Sequence, residues 1–132
     1  MTTRSHITDL IKNDLKSIPN SELIHAGGAG HKVLCVIDGT ADCYIYPRAG
    51  TKRWDTCAPE AILRSMGGSL KNIFGKDYNY DIENTASPLE VENSLGLIAS
   101  LNRPAEYYSS FISENLRSQV LSDYEKASSS KL

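Results

Sequence analysis

The run from Asp55 to Gly68 restricts the fold more than any other stretch of the chain. Asp55 or Thr56 can cap a helix N-terminus, and Pro59 falls in the first turn, where a missing N–H costs little. Ala61, Ile62, Leu63 and Met66 continue the helix and Gly67-Gly68 stop it. "SLKNIF" follows at once as a strand, so the middle of the chain is a helix feeding a strand. The same alternation recurs on both sides. Ser5 can cap a first helix carrying Ile7, Leu10, Ile11, Leu15 and Ile18 at helical spacing, closed by Pro19. "SELIHA" reads as a short strand running into the glycine-rich turn "GGAGHK". After a polar loop from about Lys76 to Asn93, "LGLIASL" reads as another strand. Arg103-Pro104 then open a last helix with Tyr108, Phe111, Ile112, Leu116, Val120 and Leu121 near one face. The pattern predicts an α/β fold of layered sheet and helices. One segment stays open: "KVLCVIDGTADCYIYP" suits a hairpin turning at Asp38-Gly39, and equally a short helix opened by Gly28 and Gly30 before a strand at Tyr44 to Tyr46.

With 132 residues, the chain is one domain over residues 1–126, with 127–132 read as a disordered tail. Fourteen basic and 16 acidic residues give a net charge of -2 and no broad basic face, which argues against a nucleic acid polymer as partner. Cys35, Cys43 and Cys57 are odd in number and lack CxxC spacing, so they read as buried thiols of a reducing compartment. No apolar run approaches the roughly 20 residues that span a bilayer. The expectation is a cytoplasmic protein with no membrane partner.

Three features carry candidate chemistry. "GGAGHK" can cradle a phosphate with backbone N–H groups and Lys32, although it is neither a Walker A loop nor GxGxxG, and a plain turn is the commoner explanation of such a stretch. His6, beside Arg4 and Ser5, can bind an anion or simply begin a helix. Asp55 is explained by capping and the helix dipole, together worth about 1 kcal/mol. Its second oxygen can hold a hard cation such as Mg²⁺, which usually needs another carboxylate or a phosphate. Asp38 and Asp42 are the nearest acidic residues, and no spacing brings them to Asp55.

Four segments together resemble a known family: "TTRSH" (Thr2 to His6), "GGAGHK" (Gly27 to Lys32), "WDTCAPEAIL" (Trp54 to Leu63) and the closing Gly67-Gly68. Their order and spacing are similar to the C-terminal half of the 3'(2'),5'-bisphosphate nucleotidases, Mg²⁺-dependent, lithium-sensitive hydrolases of the inositol monophosphatase superfamily. The resemblance implies the second α/β half of an αβαβα sandwich, with a helix from about Ala29 to Asp38 and a strand at Tyr44. It implies that Asp55 is a metal ligand and that Thr3, His6, Gly28 and Lys32 contact nucleotide. The implied substrate is 3'-phosphoadenosine 5'-phosphate, hydrolysed to AMP and phosphate. In that family the other metal ligands lie in an N-terminal half, on a Glu-bearing segment and an Asp-Pro-Ile/Leu-Asp-Gly-Thr motif. "CVIDGT" imitates the end of that motif but lies where the family has a helix end and a turn. The resemblance therefore implies a truncated chain that is inactive alone, has the missing N-terminal half as its partner, and leaves an apolar face exposed. The alternatives are an inositol phosphate phosphatase of the same superfamily and a non-catalytic nucleotide-binding module.

Overall fold

In the computed structural model, which describes residues 1–81 and 91–130, the chain alternates short strands and helices. The order is β1 (Thr2–Thr3), α1 (Asp9–Lys16), β2 (His25–Ala26), α2 (Ala29–Ile37), β3 (Cys43–Tyr46), α3 (Arg53–Ser65), β4 (Ser69–Lys71), β5 (Leu97–Ser100), α4 (Ala105–Ser109) and α5 (Glu114–Ser129). β5 lies between β3 and β4 and is antiparallel to both, with Tyr44 and Leu70 each opposite Ala99. β1 and β2 form a parallel pair. Met1 joins the two sheets: its amine donates to the Cys43 carbonyl at 2.8 Å and its carbonyl accepts from the Ile45 N–H at 3.0 Å.

Every residue of β3 and β5 is buried, so alternate side chains enter two separate cores. Cys43, Ile45 and Ile98 pack with Ile11 and Leu15 of α1, Tyr108 of α4, and Leu116 and Val120 of α5. Tyr44, Tyr46, Leu97 and Ala99 face the other way, against Val33 and Val36 of α2 and Leu63 of α3. Helices therefore cover both faces of the central sheet, and the layered α/β expectation holds. The open segment resolves as helix α2 followed by β3. "CVIDGT" is the end of α2 and its turn, where the Asp38 carboxylate accepts from the Thr40 N–H.

Several boundaries differ from the sequence expectation for local reasons. α1 is capped by Thr8, whose hydroxyl accepts from the Ile11 N–H, so Ser5 and His6 lie in the preceding loop. α3 begins at Arg53 with Lys52 as its cap residue. Pro59 is therefore an interior residue, and it removes the N–H that would have bonded the Asp55 carbonyl. β4 stops at Lys71 because the Asn72 side chain accepts from the N–H groups of Phe74 and Lys76 and turns the chain. The last helix is two helices: Ser113 caps α5 through Leu116 N–H, and its own N–H is donated to Asp14 of α1 at 2.7 Å. α5 continues to Ser129, into the stretch read as a tail. Part of the expected polar loop, residues 82–90, lies outside the described residues. Cys35 and Cys43 are buried, whereas Cys57 is exposed. Among the described residues no helix is long and apolar enough to cross a membrane.

Candidate active site

The C-terminal ends of β1, β2 and β3 open on one side of the molecule, where two helices begin. Crevices of this kind, outside the carboxyl ends of strands, are where open α/β sheets bind ligands. Here the cleft measures about 450 Å³ and is lined by Thr3, His6, Gly28, Lys32 and Asp55 together with Ser5, Tyr44, Tyr46, Arg48 and Thr51. All five residues singled out from the sequence thus share one cavity.

Each arrives by a local device. Thr3 ends β1, whose carbonyl at that residue is 2.9 Å from Nδ1 of His25 on the neighbouring strand. His6 has a left-handed backbone, φ 60°, and its carbonyl accepts from Arg48 Nη1 at 3.0 Å, so the loop after β1 is tied to the loop after β3. Gly28 ends the β2–α2 turn at φ 75°, a conformation that favours glycine, and among the described residues no side chain caps α2. The free N–H groups of the first turn of α2 are therefore available to an anion.

Lys32 dominates the electrostatics. It is 3% exposed, lies above the Tyr44 ring at 4.8 Å, and its Nζ donates to the Ala26 carbonyl at 3.3 Å. No carboxylate pairs with it among the described residues, and burial pushes its pKa down. A desolvated ammonium with spare donors and no counter-ion suits an anionic ligand. Beneath it, Tyr44 is held protonated chiefly by burial, with the Tyr46 and Asp55 charges acting in the same direction.

Asp55 occupies the first turn of α3. Its Oδ2 accepts from the Lys52 N–H at 2.8 Å, and its own N–H donates to the Lys52 carbonyl at 3.0 Å. Oδ1 has no protein donor among the described residues, so the capping role and a spare oxygen coexist. A hard cation such as Mg²⁺ fits that oxygen as one ligand. It does not find a complete site here: among the described residues no three His, Cys, Asp or Glu side chains converge. Asp38 lies at the far end of α2, and Asp42 lines a different groove, of about 550 Å³, beside Ile18 and Tyr107.

Sequence reasoning did not single out Arg48, Tyr44, Tyr46 or Thr51. Arg48 belongs to a loop recognisably basic in the sequence, but nothing there shows which of its cations folds back over the cleft. The tyrosines read as ordinary strand residues. Behind the cleft, Asn93 and Arg53 bind the start of α3, a role with no sequence signal because its partners are about 40 residues away.

The chain matches the model of the inositol monophosphatase family over residues 1–117. It is 38% identical over 120 residues to 3'(2'),5'-bisphosphate nucleotidase 1 of Rattus norvegicus, an alignment covering 91% of this chain and 37% of that protein. The chain thus spans little more than a third of that relative. Among solved structures, CysQ from Bacteroides thetaiotaomicron is 28% identical at a TM-score of 0.58, covering 76% of this chain and 36% of that one. A 2'AMP-bound SaIMPase-II shares the fold at a TM-score of 0.64 and 17% identity, covering 96% of this chain and 46% of that one. The α/β layers, the cleft at the strand ends and these matches agree that the chain belongs to the inositol monophosphatase family.

Proposed function

We propose that this chain forms one wall of a Mg²⁺-dependent phosphatase site that removes the 3'-phosphate of 3'-phosphoadenosine 5'-phosphate, leaving AMP and phosphate. The carrying observation is the buried Lys32, which pairs with no carboxylate among the described residues, in the same cleft as Asp55. Asp55 offers its spare oxygen as one metal ligand, and polypeptide outside this chain supplies the rest. Bound Mg²⁺ contributes Lewis acidity and a nucleophilic water. The chain's own residues bind and orient: Lys32 and the first-turn N–H groups after Gly28 hold one phosphate, with Thr3 and His6 at its margin. A doubly phosphorylated substrate matches a cleft with an anion cradle at one side and a metal ligand at the other. The three free thiols favour the cytoplasm as its compartment.

The reading is tested by phosphate release and by AMP calorimetry on the chain. The expected outcome is negligible Mg²⁺-dependent release, and AMP binding that Lys32→Ala weakens about tenfold and Mg²⁺ strengthens. Release from 3'-phosphoadenosine 5'-phosphate by this chain alone, lost in Asp55→Asn, would refute the single-wall reading. AMP binding indifferent to Mg²⁺ and to Asp55→Asn would instead identify a non-catalytic nucleotide-binding module.

A further inference from the structure

We propose that Asn93 is a positioning residue for Asp55, an inference that rests on the reading of Asp55 as a metal ligand. Asn93 is fully buried, at 0% exposure, and reaches the start of α3 from a segment about 40 residues further along the chain. Its Nδ2 lies 2.9 Å from Thr51 Oγ1, 3.1 Å from the Lys52 carbonyl and 3.2 Å from Thr56 Oγ1. Its Oδ1 accepts from Arg53 Nη1 at 2.5 Å, and its backbone N–H donates to the Thr51 carbonyl at 2.8 Å. One side chain therefore spans the whole entry to the helix.

The link to Asp55 runs through Lys52. The Lys52 carbonyl accepts from both Asn93 Nδ2 and the Asp55 N–H, and the Lys52 N–H donates to Asp55 Oδ2. Asn93 thus holds the peptide groups on both sides of Lys52, one through the Thr51 carbonyl and one through the Lys52 carbonyl, and so fixes which carboxylate oxygen is consumed within the protein and which is left spare. Thr51, the residue on the other side of the clamp, itself lines the cleft. Arg53 is held in turn by the Glu92 and Asn79 carbonyls and by the Tyr78 ring at 4.2 Å, so the clamp stands on a rigid base. A plain capping network needs only the backbone bonds of Lys52; the four side-chain contacts of Asn93 go further and set the direction of the carboxylate. Groups that orient metal ligands in this way are half of what makes a metal site selective and tight.

The test measures AMP binding to the chain by calorimetry with and without Mg²⁺, in the wild type, Asn93→Asp and Asn93→Ala. Asn93→Asp keeps the side chain's size and its acceptor for Arg53 while removing every side-chain donor. The expected result is that the gain in AMP affinity brought by Mg²⁺ falls about tenfold in both variants, the lower end for loss of a ligand-orienting group, while metal-free affinity is unchanged. Equal losses with and without Mg²⁺, or no loss, overturn the proposal, because a residue that only holds the fold lowers both together. Amide exchange at Lys52 is read in parallel. Faster exchange there in Asn93→Asp, with Val33 and Leu63 unchanged, supports positioning, and unchanged exchange overturns it. If the wild type gains nothing from Mg²⁺, the metal reading of Asp55 fails and the exchange result alone decides the role of Asn93. Should neither variant fold, Thr56→Val removes one acceptor of the clamp at constant shape and answers by the same two readouts.

Discussion

Lys32 keeps a charge where burial opposes it, and the Tyr44 ring together with one carbonyl only partly compensates. Replacing it with an apolar side chain of similar length therefore separates stability from binding. Lys32→Met is expected to leave the melting temperature equal or higher, while phosphate affinity falls about tenfold, one charge-assisted interaction's worth. Thermal scanning and calorimetry on the same samples check both halves, and a large drop in melting temperature would show that the ammonium is structural. Glycines give a second contrast. A Cβ on Gly30 would meet Pro59 at 3.6 Å, an ordinary contact, so Gly30→Ala should stabilise α2 by up to about 1 kcal/mol. On Gly68 it would lie 2.6 Å from Leu63 and 2.7 Å from the Ser100 carbonyl, so Gly68→Ala should cost about 1–3 kcal/mol. Urea denaturation of the pair tests the ordering. The five cleft residues were legible from the sequence through motif resemblance, which preserves residue type and spacing. Arg48 and Asn93 were not, because a hydrogen bond to a backbone carbonyl far along the chain leaves no periodic trace.

Helices were legible wherever an apolar stripe ran uninterrupted, and their ends were not. The stripe from Tyr108 to Leu121 is continuous in the sequence, yet the chain breaks between α4 and α5 because Ser113 finds two partners. One is local, the Leu116 N–H accepted by its hydroxyl; the other is the Asp14 carboxylate, 99 residues earlier in the chain. Only the first could have been read from sequence spacing. Asp14→Ala should therefore cost about 1–2 kcal/mol, more than an exposed cap, since it leaves the partly buried Ser113 N–H without its acceptor. Denaturant midpoints, with Asp9→Ala as an exposed control on the same helix, measure the difference. The parallel case is α3, where Thr56 and Asp55 looked like caps and Lys52 takes the position, because its carbonyl and N–H are both engaged by Asp55.

At the scale of the molecule, burial on both faces of the sheet explains the α/β layering, and that much followed from alternating helices and strands. Strand length did not, because most of these strands are too short to show a period. The same burial sets the alkaline limit of stability. Tyr44, Tyr46, Tyr78, Tyr80 and Tyr108 all have pKa values raised above 10.0, chiefly by desolvation, Tyr108 to about 12. Cys43 is raised from 9.0 to about 11 for the same reason. A raised acid holds its proton in the native state while the unfolded chain releases it, so this stability is complete below the unfolded values and drains away as pH climbs past them. The Met1 amine, Lys32 and Arg53, with lowered pKa values, act in the opposite sense, but they are three groups against six, and only Lys32 has its ordinary value between pH 9 and 11. The melting temperature should hold to about pH 9 and fall steadily beyond pH 10, which thermal scans across that range will show. A flat profile to pH 11 would contradict the burial of these side chains. Finally, the position of β5 orders events in time. The centre of the three-stranded sheet is also its last strand in the chain, so on the ribosome β3 and β4 emerge with no strand between them and must wait unpaired. The nascent chain cannot close this sheet until Leu97 to Ser100 leave the exit tunnel, so the sheet forms only after both outer strands and the helices between them have been made.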